Sequence, residues 1–425
     1  MLRKTTLAAA LAAAASFSAV AYAQDPVELR FMWYSDGNEG DVMADLLSRF
    51  EEENPDIKVV LDNVAYAVIR DQLPVQLEAG QGPDLARVTT LKDLAPHWLD
   101  LRDLVEDPSY WEENFGNYLD WMRPQGSDMI PGYMTQLTVT GPFVNRTLFE
   151  QAGVELPGED ATWDEWAEAV KKVAEDQDIP IPLAMDRSGH RFTGPAISMG
   201  AGFIGEDGMP AVIDDGFKAM AERIAQWHED GTMSPEIWGS VSGTTYRGAN
   251  EEFANAEVVM YYSGSWQIGQ FAETIGDAFD WAAVPNPCGP AACTGLPGGA
   301  GVVGIKYTEH PEEVARLMDW LASEPVLKEF YERTLFLPGH AGLTEAGLDY
   351  QSDNPNVKES LDTFVGAVGN LAPLANRMPA WEWANVTYFA IIGRLGQVVA
   401  GELSLEDAYS RIEDDIAQQI EEAQR

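Results

Sequence analysis

The sequence predicts an α/β protein built as two domains, and three observations carry that expectation. The chain opens on strand, loop, helix and strand. Strands and helices then alternate almost to the last residue. Its 425 residues, even after loss of a leader, exceed what one hydrophobic core usually organises. Hydrophobic residues make up 45% of the sequence, enough to fill two cores.

The elements follow in order. Val27, Leu29, Phe31 and Trp33 alternate with polar or outward positions, which predicts a strand over Val27–Tyr34 ending in a polar loop, Ser35–Gly40. Val42, Leu46 and Phe50 recur at four-residue spacing, and Asn54-Pro55 stops that helix before a second strand, Ile57–Val64. Such an opening predicts a parallel sheet with its ligand beyond the carboxyl ends of the strands, where the Ser35–Gly40 loop falls. Thr162 and Glu165 form a capping box ahead of Trp166, Val170 and Val173. Phe217, Met220, Ile224 and Trp227 mark a further helix closed by Gly231, and Glu257–Ser263 reads as a buried strand. Pro311 opens a helix through Val314, Leu317 and Leu321, and Ser404 caps a last one through Leu405, Ile412, Ile416 and Ile420. Pro/Gly-rich breaks at 285–301 and 338–342 are the points where the chain would change domain.

Residues Met1–Ala23 have the form of a cleavable secretory leader. Arg3 and Lys4 precede an apolar run from Leu7 to Val20, and Ala21-Tyr22-Ala23 supplies the small residues of a cleavage site. Cleavage after Ala23 would release a periplasmic chain beginning at Gln24. No later run is long and apolar enough to anchor it, and no cysteine lies near the cleavage site to take a lipid. The formal charge of −42 repels phosphates and so excludes nucleic acid as a partner. Cys288 and Cys293 stand five apart in an oxidising compartment, which predicts a local disulfide. Two thiols without a nearby histidine do not make a metal site.

Catalytic motifs are missing from the sequence: there is no Gly-x-Ser-x-Gly, no phosphate loop and no His-Glu-x-x-His. A secreted glycoside hydrolase stays open as an alternative, because a carboxylate pair cannot be picked out among 69 acids. A ferric-iron-binding protein is the more remote one, resting on Tyr261-Tyr262. Aromatic residues interleaved with polar groups are the stronger signal. Sugar rings stack on indole and phenol faces, while their hydroxyls need Asp, Asn, Glu or Arg partners. Trp33-Tyr34 with Asp36, Asn38 and Glu39, the segment Arg377-Met-Pro-Ala-Trp381-Glu-Trp383, and Trp266 after Gly264-Ser265 each offer that combination.

Several segments, in order, resemble the bacterial extracellular solute-binding proteins of family 1, the maltose-binding-like receptors of sugar ABC importers. They are Gly80-Gln-Gly-Pro-Asp84, Pro142-Phe-Val-Asn145-Arg146-Thr-Leu-Phe149 with Ala152-Gly153, Thr162-Trp-Asp-Glu165, Val259-Met260 leading to Gly264-Ser-Trp266, and Gly298-Gly299. The resemblance implies a type II periplasmic-binding-protein fold, two hinge-connected α/β lobes closing on a ligand. Residues 24–139 and 300–345 would form the N-terminal lobe, and 140–299 and 346–425 the C-terminal one. It places Trp33, Tyr34, Asp36, Asn38, Glu39, Arg87 and Thr89 on the first lobe's side of the cleft. Asp84 would fix its turn, and Asn145-Arg146 would be scaffold. His190 and Arg191 stand where family members carry an acid and an aromatic, a departure that points away from a plain maltodextrin. Trp266 would stack one sugar ring and Trp381 or Trp383 another, with Gly298, Gly299 and Arg377 nearby. Arg87, Arg191 and Arg377 together admit an acidic or sulfonated sugar. The implied protein is a monomer without cofactor or catalysis, delivering a carbohydrate to the permease subunits of an ABC importer.

Overall fold

The computed structural model describes residues 25–423, so the leader expected at Met1–Ala23 lies outside the described residues. Eight strands are present among them: β1 (Val27–Trp33), β2 (Ile57–Asn63), β3 (Leu85–Val88), β4 (Gly132–Asn145), β5 (Ile181–Met185), β6 (Val258–Gly264), β7 (Trp281–Ala283) and β8 (Pro297–Gly304). Their order is β2-β1-β3-β8-β4-β6-β5, with β7 also on β4.

One strand ties the two halves together. The first part of β4, Gly132–Val139, pairs with β8, and the next residues, Thr140–Val144, pair with β6. β4 is therefore the crossing strand. All of its residues are buried, as a strand covered on both faces requires. β1 is parallel to β2 and β3, and β5 to β6, but β8 runs antiparallel to both β3 and β4. The opening strands pair in parallel as expected, and the sheet as a whole is mixed because β8 brings the chain back from the second half directly instead of through a helical crossover.

The local signals act as the sequence suggests. The helix Glu39–Glu53 buries Val42, Leu46 and Phe50 and ends at Asn54. Both bonds of the Thr162/Glu165 box are made at the start of the helix Trp163–Gln177. Ser404 accepts from the Asp407 amide, 3.1 Å, to begin the helix Leu405–Ala423. Asp84 accepts from the Arg30 amide at 2.7 Å, and Asn145 caps the helix Arg146–Ala152. Cys288 and Cys293 are bonded to each other. No helix among the described residues is long and apolar enough to cross a membrane.

Candidate ligand-binding cavity

A cavity of about 240 Å³ opens where the strand ends of the two halves face each other. The first half contributes Tyr34 and Asp36 from the loop after β1. Behind them lies a buried polar layer. Glu39, fully buried, accepts the amides of Asp36 and of Gly37, the latter at 2.8 Å, and a guanidinium nitrogen of Arg87 at 2.8 Å. Arg87, also fully buried, donates to the Tyr34 carbonyl at 2.6 Å and to Gln136 Oε1 at 2.9 Å, with its guanidinium 4.2 Å from the Tyr34 ring centre. A buried arginine of this kind must be paired and hydrogen-bonded, and here both terminal nitrogens are, while Nε has no partner.

The second half contributes His190 and Arg191, at the start of the helix Gly189–Ser198, and Trp266, two residues past the end of β6. Asp186, buried, accepts from Ser263 at 2.8 Å, from Arg191 Nε at 3.0 Å and from Tyr261. Arg191 Nη1 donates to His190 Nδ1 at 3.1 Å, which leaves His190 Nε2–H to donate to the Pro297 carbonyl at 3.2 Å. The Arg191 guanidinium lies 4.1 Å from the Trp266 ring centre, a cation–π stack. Trp381 completes this wall, its indole donating to the Gly208 carbonyl at 2.8 Å.

The electrostatics favour neutral hydrogen-bonding groups. Burial, then the negative charge of Glu39, pushes the Asp36 carboxyl up to about 7, against the pull of Arg87 and Arg191. Desolvation raises the Asp93 carboxyl to about 6, although its bond to Asn385 works the other way. Burial, then neighbouring Arg191, lowers His190 to about 3, so this imidazole is neutral.

The structure brings Tyr34, Asp36, Thr89, His190, Arg191, Trp266, Gly298, Gly299 and Trp381 to the cavity lining and leaves the other expected residues outside it. Trp33 is wholly buried between Phe31 and Phe330, because successive strand residues face opposite ways and Tyr34 takes the cavity side. Glu39 and Arg87 stand one layer back. Asn38 donates to the Arg333 carbonyl at 3.1 Å, away from the cavity. Arg377 is exposed at the end of the helix Pro373–Arg377, and Trp383 packs against the core from outside the lining. The two glycines serve close approach: a Cβ on Gly299 would come within 2.2 Å of the Gln136 carbonyl oxygen.

Residues that sequence reasoning did not find complete the wall. Tyr66 bonds Thr89 at 3.0 Å and meets Tyr246 of the other half with ring centres 6.3 Å apart. Trp121, Tyr388 and Phe389 add aromatic surface, and Gln136 and Thr138 come from the crossing strand.

The iron reading is overturned. Tyr261 and Tyr262 are fully buried within β6, bonded to Asp186 and to Thr140 (3.2 Å) respectively, and burial pushes both phenols up, away from the tyrosinate form. Among the described residues the one His/Cys/Asp/Glu group close enough for a metal is Asp160 with Cys288 and Cys293, whose sulfurs are already joined to each other.

Residues 34–328 match the family described as bacterial extracellular solute-binding protein. The chain belongs to that family. As a solute-binding protein it is 24% identical, over 398 residues, to a binding protein of Brucella abortus, covering 88% of this chain and 89% of that one. Its fold is that of the ABC substrate-binding protein from Listeria monocytogenes in complex with cycloalternan, with a TM-score of 0.77 at 18% identity over 93% of this chain and 99% of the other. The maltose/maltodextrin-binding domain from Bdellovibrio bacteriovorus bound to maltotriose gives 0.75 at 19% identity over 93% and 100%. The architecture is therefore the two-lobed fold of periplasmic binding proteins, with the cavity between the lobes.

Proposed function

We propose that this protein is a periplasmic receptor that captures a neutral saccharide and delivers it to the permease of an ABC importer. The observation that carries the reading is the cavity wall itself. Aromatic rings from both halves, Tyr34, Trp266 and Trp381 among them, alternate with hydroxyl, amide and carboxyl groups, which is the surface a sugar's C–H faces and hydroxyls require. The saccharides in the two structural neighbours, cycloalternan and maltotriose, agree with that chemistry.

A neutral ligand is favoured by where most of the cations are spent, although Arg187, also in the lining, is held by backbone carbonyls alone. Of the three arginines that would favour an acidic or sulfonated sugar, Arg377 lies outside the cavity, Arg87 is paired with Glu39, and Arg191 with Asp186. Arg70 is bound twice by Asp71, at 2.7 and 3.0 Å, and Lys92 donates to two backbone carbonyls, both at 2.8 Å.

In this reading the protein works as a monomer without catalysis. Lobes spanning 24–139 with 300–345 and 140–299 with 346–425 close about the crossing strands, and export removes residues 1–23. Thermal-shift and calorimetric titration with neutral mono- and oligosaccharides test it. Stabilisation by at least one is expected, while an unmoved melting temperature across such a panel would remove its support. Release of product from chromogenic glycosides would instead favour the hydrolase.

A further inference from the structure

Three carboxyl groups, Asp36, Glu39 and Asp186, gather around two arginines, Arg87 and Arg191, at the cavity wall. Glu39 holds Arg87 at 2.8 Å, and Asp186 holds Arg191 at 3.0 Å. Asp36 is left over. Its Oδ2 lies 3.6 Å from Arg87 Nη2, too far for a hydrogen bond, and that nitrogen donates instead to Gln136 at 2.9 Å. The backbone repeats the bias. The amides of Asp36 itself and of Gly37 both donate to Glu39, so with Arg87 three donors converge on Glu39, while the Asp36 oxygens accept no hydrogen bond among the described residues.

The charged and titratable groups that face Asp36 are Tyr34 on its own segment, Glu39 on the helix Glu39–Glu53, Arg87 on β3 and Arg191 on the helix Gly189–Ser198. Both cations among them are claimed by another acid. A carboxyl beside a second, better-held carboxylate, in a site short of cations, is stabilised by a proton. Burial, then the negative charge of Glu39, pushes Asp36 that way, up to about 7. The side chain still reaches the ligand space, for it lines the cavity and is 28% exposed. As an acid it has one O–H to give, and no acceptor of the protein takes it. We infer that Asp36 acts on the ligand as the neutral acid, donating its proton to an acceptor oxygen of the bound saccharide, so that capture is coupled to proton uptake. This rests on the saccharide reading above.

Titration calorimetry of the mature chain tests it, with whichever of glucose, galactose, mannose, xylose, cellobiose and maltotriose raises the melting temperature most. Affinity is read from about pH 5.5 to about pH 9, and the heat near pH 7.5 is compared in phosphate and in Tris, whose ionisation heats differ. Affinity is expected to be level below about pH 6 and to weaken towards tenfold per pH unit above about 7, with a buffer-dependent heat that reports proton uptake. Asp36→Asn keeps a neutral donor that cannot ionise. It should lose both the slope and the proton uptake and bind more tightly than the wild type at about pH 9. Asp36→Ala also loses the slope, but without a donor it should bind more weakly than Asp36→Asn throughout. A slope owed instead to Asp93, which also lines the cavity, would survive in Asp36→Asn. That survival, an affinity that is flat or rises with pH, heats indifferent to buffer, or equal affinities of Asp36→Asn and Asp36→Ala overturns the inference while the receptor reading stands. No binding of any of these sugars at any pH overturns both.

Discussion

Truncating Trp266 to alanine separates a binding tryptophan from a packing one, when paired with the same change at Trp33. Trp266 is half-buried at the cavity wall, one side covered by the Arg191 guanidinium at 4.1 Å. Arg191 keeps its 3.0 Å bond to Asp186 when the ring is gone, so the wall loses a stacking surface but not its frame. Loss of an aromatic anchor of this kind costs about 2–4 kcal/mol of binding, or about 30- to several-hundred-fold in Kd. Trp33 is not among the residues that line the cavity. It is fully buried between Phe31 and Phe330, ring centres 5.4 and 6.2 Å away, and Trp33→Ala should cost about 3–5 kcal/mol of stability. Titration calorimetry gives the first quantity and chemical denaturation the second. The reasoning fails if Trp266→Ala unfolds the chain while binding per folded molecule is unchanged, or if Trp33→Ala weakens binding without loss of stability.

Other expectations follow from the same structure. Arg87→Ala leaves Glu39 buried without its cation and should destabilise by about 3–5 kcal/mol in urea unfolding. Asp36 is held up to about 7 when folded, against an ordinary 3.8. The folded state therefore binds the extra proton between those values, and stability falls as pH rises through that window. Asp36→Asn should flatten this part of the melting-temperature profile, and an unchanged slope would refute the assignment. His190 has the opposite sign. Lowered to about 3, it leaves the unfolded state with more protons below 6.5, so its share of stability is lost on acidification and His190→Gln should retain it. Reducing Cys288–Cys293, which closes a short loop away from the cavity, should cost about 2 kcal/mol of stability without altering saccharide affinity.

Much of the fold was legible because each signal was local. The spacing of Val42, Leu46 and Phe50, the Thr162/Glu165 box and the alternation in Val27–Trp33 all act within one element. The antiparallel return of β8 was not legible, since pairing between residues such as Tyr133 and Val302 leaves no trace in either segment. The site divides similarly. Asp36, Arg191 and Trp266 stand at strand ends and helix starts, where composition and position point the same way. Arg87 and Glu39 carry the same chemistry but satisfy each other. Which of two adjacent aromatics, Trp33 or Tyr34, faces the ligand depends on which face of β1 the core claims. Tyr66, Tyr246 and Gln136 escaped notice because each lies in a stretch with no pattern of its own. They meet only when the two halves come together.

The most direct test of the account is titration calorimetry of the purified mature chain with neutral oligosaccharides. Saturable one-to-one binding, with a negative heat-capacity change from covering Tyr34, Trp266 and Trp381 and a loss of affinity in Trp266→Ala, is the expected result. Heats of dilution alone across the panel, or binding that ignores Trp266, would contradict it.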